Sequence, residues 1–231
     1  MSGRWWADLA DLVAPAVCAG CRTATPALRR GACAACAATL AAQVPGPVPG
    51  PGGAFPVVAA GIYDGVLREL LLAYKERGRR QLAEPLGVLL ARAVAVHGSD
   101  PVTLVGAPST AAASRRRYGD HLSVLVRAAT GRLRQAGIRA DAVRALRARP
   151  RPDSAGLNAR GRLAAAEASI HGAPWPLARL RRLGAGRRVL LIDDVLTTGA
   201  TLAACAAELE RCGVSVAGAV VLTVTPAPRR K

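Results

Sequence analysis

Val189-Leu190-Leu191-Ile192-Asp193-Asp194-Val195-Leu196-Thr197-Thr198-Gly199-Ala200-Thr201 is the stretch on which the fold of this chain turns. Four apolar residues in a row read as a strand buried on both faces, as in a parallel sheet. Two aspartates then emerge at its carboxyl end, where open α/β sheets bind their ligands. A Thr-Thr-Gly-Ala-Thr turn follows and opens an Ala/Leu/Glu helix. Backbone N–H groups and hydroxyls at a helix N-terminus make a seat for phosphate. Carboxylates beside a phosphate seat suit a phosphorylated sugar, the acids taking ring hydroxyls and the turn taking the phosphate.

The chain has 231 residues, room for one large domain or for a large and a small one. A hydrophobic content of 51% supports a core, and with 3% aromatics that core must be packed from Leu, Val, Ile and Ala. No run is long enough to span a bilayer, so membrane insertion is not expected. The opening MSGRWWADLADLVAP carries acids and a Trp pair where a signal peptide needs a basic start and an apolar stretch, so a cytoplasmic location is expected. The formal charge is +17, and Lys75 and Lys231 are its only lysines. Such a surface attracts polyanions without selecting one.

The string from Val189 to Thr201 closely resembles the phosphoribosyl-pyrophosphate (PRPP) signature of the type I phosphoribosyltransferases. The resemblance implies that Asp193 and Asp194 hold the ribose hydroxyls. Val195 and Leu196 would carry the chain into a 5′-phosphate loop made by Thr197, Thr198, Gly199, Ala200 and Thr201. It also implies that the loop after the apolar strand VTLVGAP (102–108) meets the pyrophosphate through Ala107, Pro108 and Ser109. Arg115 and Arg117, with Arg116 between them, would clamp pyrophosphate oxygens, or else form a solvated turn or a nucleic-acid contact. Mg²⁺ bridging pyrophosphate and ribose oxygens would neutralise the leaving group as the bond at C1′ breaks. The ligand expected is PRPP or a nucleotide monophosphate.

Near the front, Cys18-x2-Cys21 and Cys33-x2-Cys36 supply thiols from two tight knuckles, with Gly20 and Gly31 where compact turns are needed. Two such pairs can close a tetrahedral four-thiolate zinc site. Two disulfides, or four cysteines packed as small apolar residues, are the alternatives, and a reducing cytosol disfavours the first. A closed four-cysteine set would hold a structural Zn²⁺. Cys205 and Cys212, seven apart on the helix after the signature, are expected against the core. The expected division is a front helix and zinc-ribbon-like module over 1–43, a Pro/Gly linker over 44–56, and a phosphoribosyltransferase-like domain over 57–231.

In the larger part, 56–63 reads as a strand. Leu67, Leu70, Leu71 and Tyr74 fall at helical spacing before Gly78. Helices follow over about 82–97, 121–135 and 157–168, with a strand somewhere in 138–146. Strands alternating with helices imply an α/β fold, a parallel sheet flanked by helices. The four-cysteine front, Tyr63-Asp64-Gly65-Val66-Leu67-Arg68-Glu69-Leu70 and Lys75-x-x-Gly78 together resemble the ComF family. That family pairs a zinc-binding front module with a phosphoribosyltransferase-like domain and includes proteins tied to natural competence. Two family patterns are altered. Arg115 to His121 has its aromatic and glycine exchanged, and Asp153-Ser154-Ala155-Gly156-Leu157 with Arg160 and Arg162 lacks a following Asn. Lys75 fits the family pattern, and also a lysine snorkelling from a helix end. Asp120 and His121 are candidates for binding or proton transfer, while His97 and His171 fall at element ends.

Two functions follow from these features. In the first, the protein binds PRPP with Mg²⁺ and transfers the phosphoribosyl group to an acceptor. In the second, it is a non-catalytic competence factor for DNA uptake, working with other competence proteins. It would bind single-stranded DNA through LRARPRP (146–152), RLRRLGAGRR (179–188) and the basic tail, with a steep salt dependence. Scarce aromatics offer few stacking platforms for bases.

Overall fold

The computed structural model describes residues 16–25, 27–98, 101–110, 119–149, 158–184 and 186–226. Within these, six strands form one sheet in the order β1-β2-β8-β7-β3-β4. They are β1 (Gly46–Val48), β2 (Val57–Ala59), β3 (Val102–Gly106), β4 (Ala140–Ala142), β7 (Arg188–Leu196) and β8 (Gly218–Val224). All neighbours run parallel except β1, which lies antiparallel on the edge beside β2. A separate two-stranded sheet pairs β5 (Leu146–Ala148) with β6 (Ile170–Gly172). The fold is a mostly parallel sheet flanked by helices, with a four-cysteine cluster and helix α1 (Ala34–Ala41) at its front.

The signature strand is the centre of this sheet. Val189, Leu190, Leu191 and Ile192 are buried, because β3 and β8 flank β7 and helices cover both faces. Helix α4 (His121–Gln135) links β3 to β4, and α7 (Ala200–Arg211) links β7 to β8. These crossovers run in opposite directions from the β3–β7 junction. Right-handed connection therefore puts α4 and α7 on opposite faces. Helix α3 (Ala83–Ala95) packs along α4, and α5 (Ala159–Ser169) packs along α7. The junction is thus the switch point at which strand order reverses, and the loops leaving β3 and β7 stand on either side of it.

Local sequence explains the flanking elements. In α2 (Gly65–Glu76), Leu67, Leu70, Leu71 and Tyr74 turn to the core, and Gly78 leaves the helix end at φ +66°. Helix α4 starts at Asp120, whose carboxylate accepts from the Ser123 backbone N–H at 3.0 Å. Helix α5 starts at Asn158, which accepts from Gly161 N–H at 2.8 Å.

Several elements differ from the sequence expectation. Gly46–Val48, inside the stretch read as linker, is the edge strand β1; Pro47 is tolerated there because an edge strand leaves ladder donors unused. The strand expected within 138–146 is two short strands in different sheets, β4 and β5. Helix α6 (Pro174–Gly184) was not foreseen. Its two prolines sit in the first turn, where missing N–H groups cost nothing, and Leu177 and Leu180 are buried. The small sheet is pinned to α7 by buried Glu208, which accepts from Gly172 N–H at 2.6 Å.

Candidate functional site

Successive side chains on a strand point to opposite faces, so Asp193 and Asp194 part company. Asp194 enters the α4 side, where its Oδ2 meets Lys75 Nζ at 2.7 Å and His121 Nε2 at 2.8 Å. Lys75 comes from the last turn of α2 and His121 from the first of α4. The two helix ends are tied by the Tyr74 hydroxyl, which donates to the His121 carbonyl at 2.6 Å, and by an edge-on contact between their rings. Lys75 therefore does not snorkel to solvent; its side chain is 14% exposed and ion-paired. Burial alone would push the Asp194 carboxyl up. The His121 hydrogen bond and the Lys75 charge outweigh it and hold the group well below the usual carboxylate range.

Asp193 turns to the α7 side. Burial, and then the neighbouring Asp194 charge, raise its carboxyl above the ordinary range, although its Oδ1 accepts from the Asp194 N–H at 2.8 Å. The Asp194 carbonyl is held by the buried Thr223 hydroxyl of β8 at 3.0 Å. Past Val195 and Leu196, Thr197 and Thr198 are exposed, Gly199 takes φ +73°, and Ala200 and Thr201 begin α7. A Cβ on Gly199 would lie 2.9 Å from Pro51, so both its conformation and its neighbour demand glycine. The turn containing Pro51, Gly52 and Gly53 thus packs onto the threonine loop, a contact no sequence pattern announced.

Across the switch point, Ala107 N–H donates to the Ile192 carbonyl at 2.8 Å, which sets Ala107, Pro108 and Ser109 beside the end of β7. The next residue, Thr110, bridges to Ala148 of β5. Arg115, Arg116 and Arg117 lie outside the described residues, as do Asp153 to Leu157. Sequence reasoning singled out the acids and the threonine loop. It left Lys75 and His121 evenly weighed or weak, because their common partner Asp194 is distant along the chain. Tyr74, Thr223 and Pro51 had no local signal.

The four cysteines come together at the front. Their sulfur atoms all lie within 4.8 Å of one another, and Cys21 and Cys33 are 3.8 Å apart. A disulfide needs about 2.05 Å. Sulfurs about 2.3 Å from a tetrahedral zinc stand roughly 3.8 Å apart. Burial raises the Cys18 thiol, but backbone N–H groups of Cys33, Cys21 and Gly20 bring it down to about 6. The Cys33 N–H lies 3.2 Å from Cys18 Sγ. A Cβ on Gly20 would sit 2.7 Å from Cys36 Sγ, so only glycine lets the knuckles close. The donor set fits one thiophilic metal ion. The module is fastened to the α/β part by Arg22–Glu69 at 2.7 Å, by Arg30–Glu84, and by Arg92, which donates to the Ala41 and Gln43 carbonyls at 2.7 and 2.8 Å.

The arginine stretches are divided by the fold. In 146–152, Leu146–Ala148 is β5 and residues 150–152 lie outside the described part. In 179–188, Arg179, Arg181 and Arg182 are exposed on α6, whereas Arg187 pairs with Asp141 and Arg188 with the His97 carbonyl. His97 follows α3, and His171 sits within β6. Cys205 is buried and Cys212 half-buried. Among the described residues no helix is long and apolar enough to cross a membrane.

Residues 135–231 match the family described as phosphoribosyl transferase domain. The chain is 62% identical over 40 residues to an adenine phosphoribosyltransferase of Arthrobacter sp. (strain FB24), which is 17% of this chain and 22% of that protein. It is 60% identical over 38 residues to the adenine phosphoribosyltransferase of Mycobacterium tuberculosis (strain ATCC 25618 / H37Rv), 16% and 18% of the two chains. With that of Clavibacter michiganensis subsp. michiganensis (strain NCPPB 382) it shares 62% over 37 residues, 16% and 21%. The chain spans about a fifth of the length of these curated relatives. Lys75, His121 and the cysteine module lie outside the family match.

Proposed function

We propose that the chain binds PRPP with Mg²⁺ at the carboxyl end of β7 and transfers its phosphoribosyl group to a nitrogenous acceptor. The observation that carries this reading is the pairing of Asp193 with the Thr197–Thr201 loop. Both stand on the α7 side of a switch-point strand, inside the segment that matches a phosphoribosyl transferase domain. The loop N–H groups and threonine hydroxyls seat the 5′-phosphate at the start of α7. Asp193 accepts from the ribose hydroxyls. Lys75 and His121 both meet the Asp194 carboxylate at Oδ2, so a ribose hydroxyl takes its Oδ1. Ala107, Pro108 and Ser109 border the pyrophosphate. Mg²⁺, arriving with PRPP, neutralises the departing pyrophosphate.

The Lys75–Asp194–His121 cluster keeps one acid charged and fixed, so the sugar meets an arrangement that need not reorganise. The four thiolates hold a structural zinc, which with the phosphoribosyltransferase-like domain gives the architecture of the ComF resemblance. Pyrophosphate release from Mg-PRPP tests transfer, with a panel of bases headed by adenine. Release that needs one base and is lost in Asp193→Asn is the expected result. Release with no base, or release unchanged in the variant, contradicts it.

A further inference from the structure

The four cysteines at the front are not equally placed. Cys18 is 0% exposed and Cys36 2%, whereas Cys33 is half-buried and Cys21 is exposed. Two thiols therefore lie inside the module and two reach its surface. The surface pair has its sulfurs 3.8 Å apart. Each C-x2-C knuckle supplies one member, so a bond between Cys21 and Cys33 would join the two knuckles.

A thiol that holds a metal ion is deprotonated, and the thiolate is the form that attacks an electrophile. Exposure then decides which of four thiolates a small solute can meet. Cys18 and Cys36 belong to the buried core, and the Cys33 N–H also donates to Cys18 Sγ at 3.2 Å. Cys21 has no such cover. Its position selects it as the first sulfur reached by an oxidant small enough to diffuse to the module, and Cys33 is the neighbour placed to react with the product.

We infer that Cys21 and Cys33 form a peroxide-reactive pair, in which hydrogen peroxide oxidises Cys21 and Cys33 resolves it as a disulfide. The Cys21 thiolate attacks one peroxide oxygen, the O–O bond breaks, and hydroxide leaves to be protonated to water. Cys21 is then a sulfenic acid. The Cys33 thiolate attacks its sulfur, the S–S bond forms, the S–O bond breaks, and a second hydroxide leaves as water. Two thiolates, one peroxide and two protons thus give one disulfide and two waters. The sulfurs lose the two electrons that the peroxide gains. A thiol reductant reverses the bond. Cys18 and Cys36 alone are too few to retain a tetrahedral zinc ion, so oxidation releases it. Arg22 follows Cys21 directly and holds Glu69 of α2 at 2.7 Å, and Gly20 approaches Val66 at the start of that helix. The modification therefore loosens the helix that carries Lys75, the partner of Asp194. Its effect on PRPP rests on the function proposed above.

The test uses the full chain, purified with its metal and treated with graded hydrogen peroxide. Remaining thiols are alkylated, the disulfides are mapped by peptide mass spectrometry, and released zinc is read with a chromogenic chelator. A parallel sample contains dimedone, which traps sulfenic acid. The first disulfide is expected to be Cys21–Cys33, with one zinc released for each and dimedone on Cys21. Dithiothreitol with added zinc should restore the starting state. A first disulfide between other cysteines, dimedone on Cys18 or Cys36 ahead of Cys21, or zinc retained by the oxidised chain would overturn the proposal. So would thiols that survive a large excess of peroxide. Because these readouts use the wild type, they do not depend on a cysteine variant that folds. Mg-PRPP is then titrated into reduced and oxidised protein, and a several-fold weaker Kd after oxidation is expected; an equal Kd overturns the coupling. If PRPP binds neither form, the PRPP reading and the coupling fall. If the untreated chain carries no zinc, the metal reading falls. In both cases the disulfide map still decides the reactive pair.

Discussion

Asp193 and Asp194 are adjacent in sequence and opposite in circumstance. Asp194 is a buried anion satisfied by Lys75 and His121, so removing a partner strands a charge. Lys75→Met is expected to cost about 3 kcal/mol in urea unfolding; a loss under about 1 kcal/mol would mean that the pair is solvated. The carboxyl of Asp194 is depressed when folded, so its stabilisation is present above the unfolded carboxylate range and is lost as pH falls below it. Asp193 is raised, so it is neutral at pH values where an ordinary carboxyl is already charged. Ribose hydroxyls donate best to the ionised form. PRPP affinity is therefore expected to rise with pH through the raised Asp193 titration, and Asp193→Asn should remove that contribution. Calorimetry across a pH series checks this, and an identical slope in both proteins would contradict it. The sequence shows that acids stand here, but not that they face different helices. That division follows from strand alternation and from partners contributed by α2 and α4.

At the scale of elements, legibility tracked length and periodicity. β7 announced itself as an apolar run, and α4 stands where a helix was expected over 121–135. Strands of three residues, such as β1, β5 and β6, are too short to impose a pattern, and they form because neighbouring backbone offers a ladder. The first-turn prolines of α6 masked a helix whose apolar face needs only two or three leucines. The loop between β7 and α7 leaves Gly199 little freedom to change. Gly199→Val places a branched side chain at φ +73° and against Pro51. It is expected to lower stability by about 1–2 kcal/mol and to weaken PRPP binding by more than tenfold. Unchanged PRPP affinity in a folded Gly199→Val protein would separate this loop from the phosphate.

At the scale of the whole molecule, the cysteine module is fastened where it bears on the site. Arg22 meets Glu69 on α2, the helix that also carries Lys75, and Gly20 approaches Val66 at the start of that helix. Stripping the metal with a thiol-competent chelator is expected to lower Tm and, through α2, to weaken PRPP binding. Metal analysis should give one zinc per chain in the untreated protein, and a Tm indifferent to chelation would contradict a structural metal. The mostly parallel sheet and the four-cysteine cluster were legible in the sequence, while the contacts joining them were not, because they depend on surface arginines whose partners are set by the fold. The most direct measurement of the central reading is calorimetric titration of PRPP, with and without Mg²⁺, into the wild type and Asp193→Asn. Saturable, Mg²⁺-dependent binding to the wild type that the variant loses is the result predicted. No binding to the wild type, or equal binding to both, would contradict a PRPP site at the end of β7.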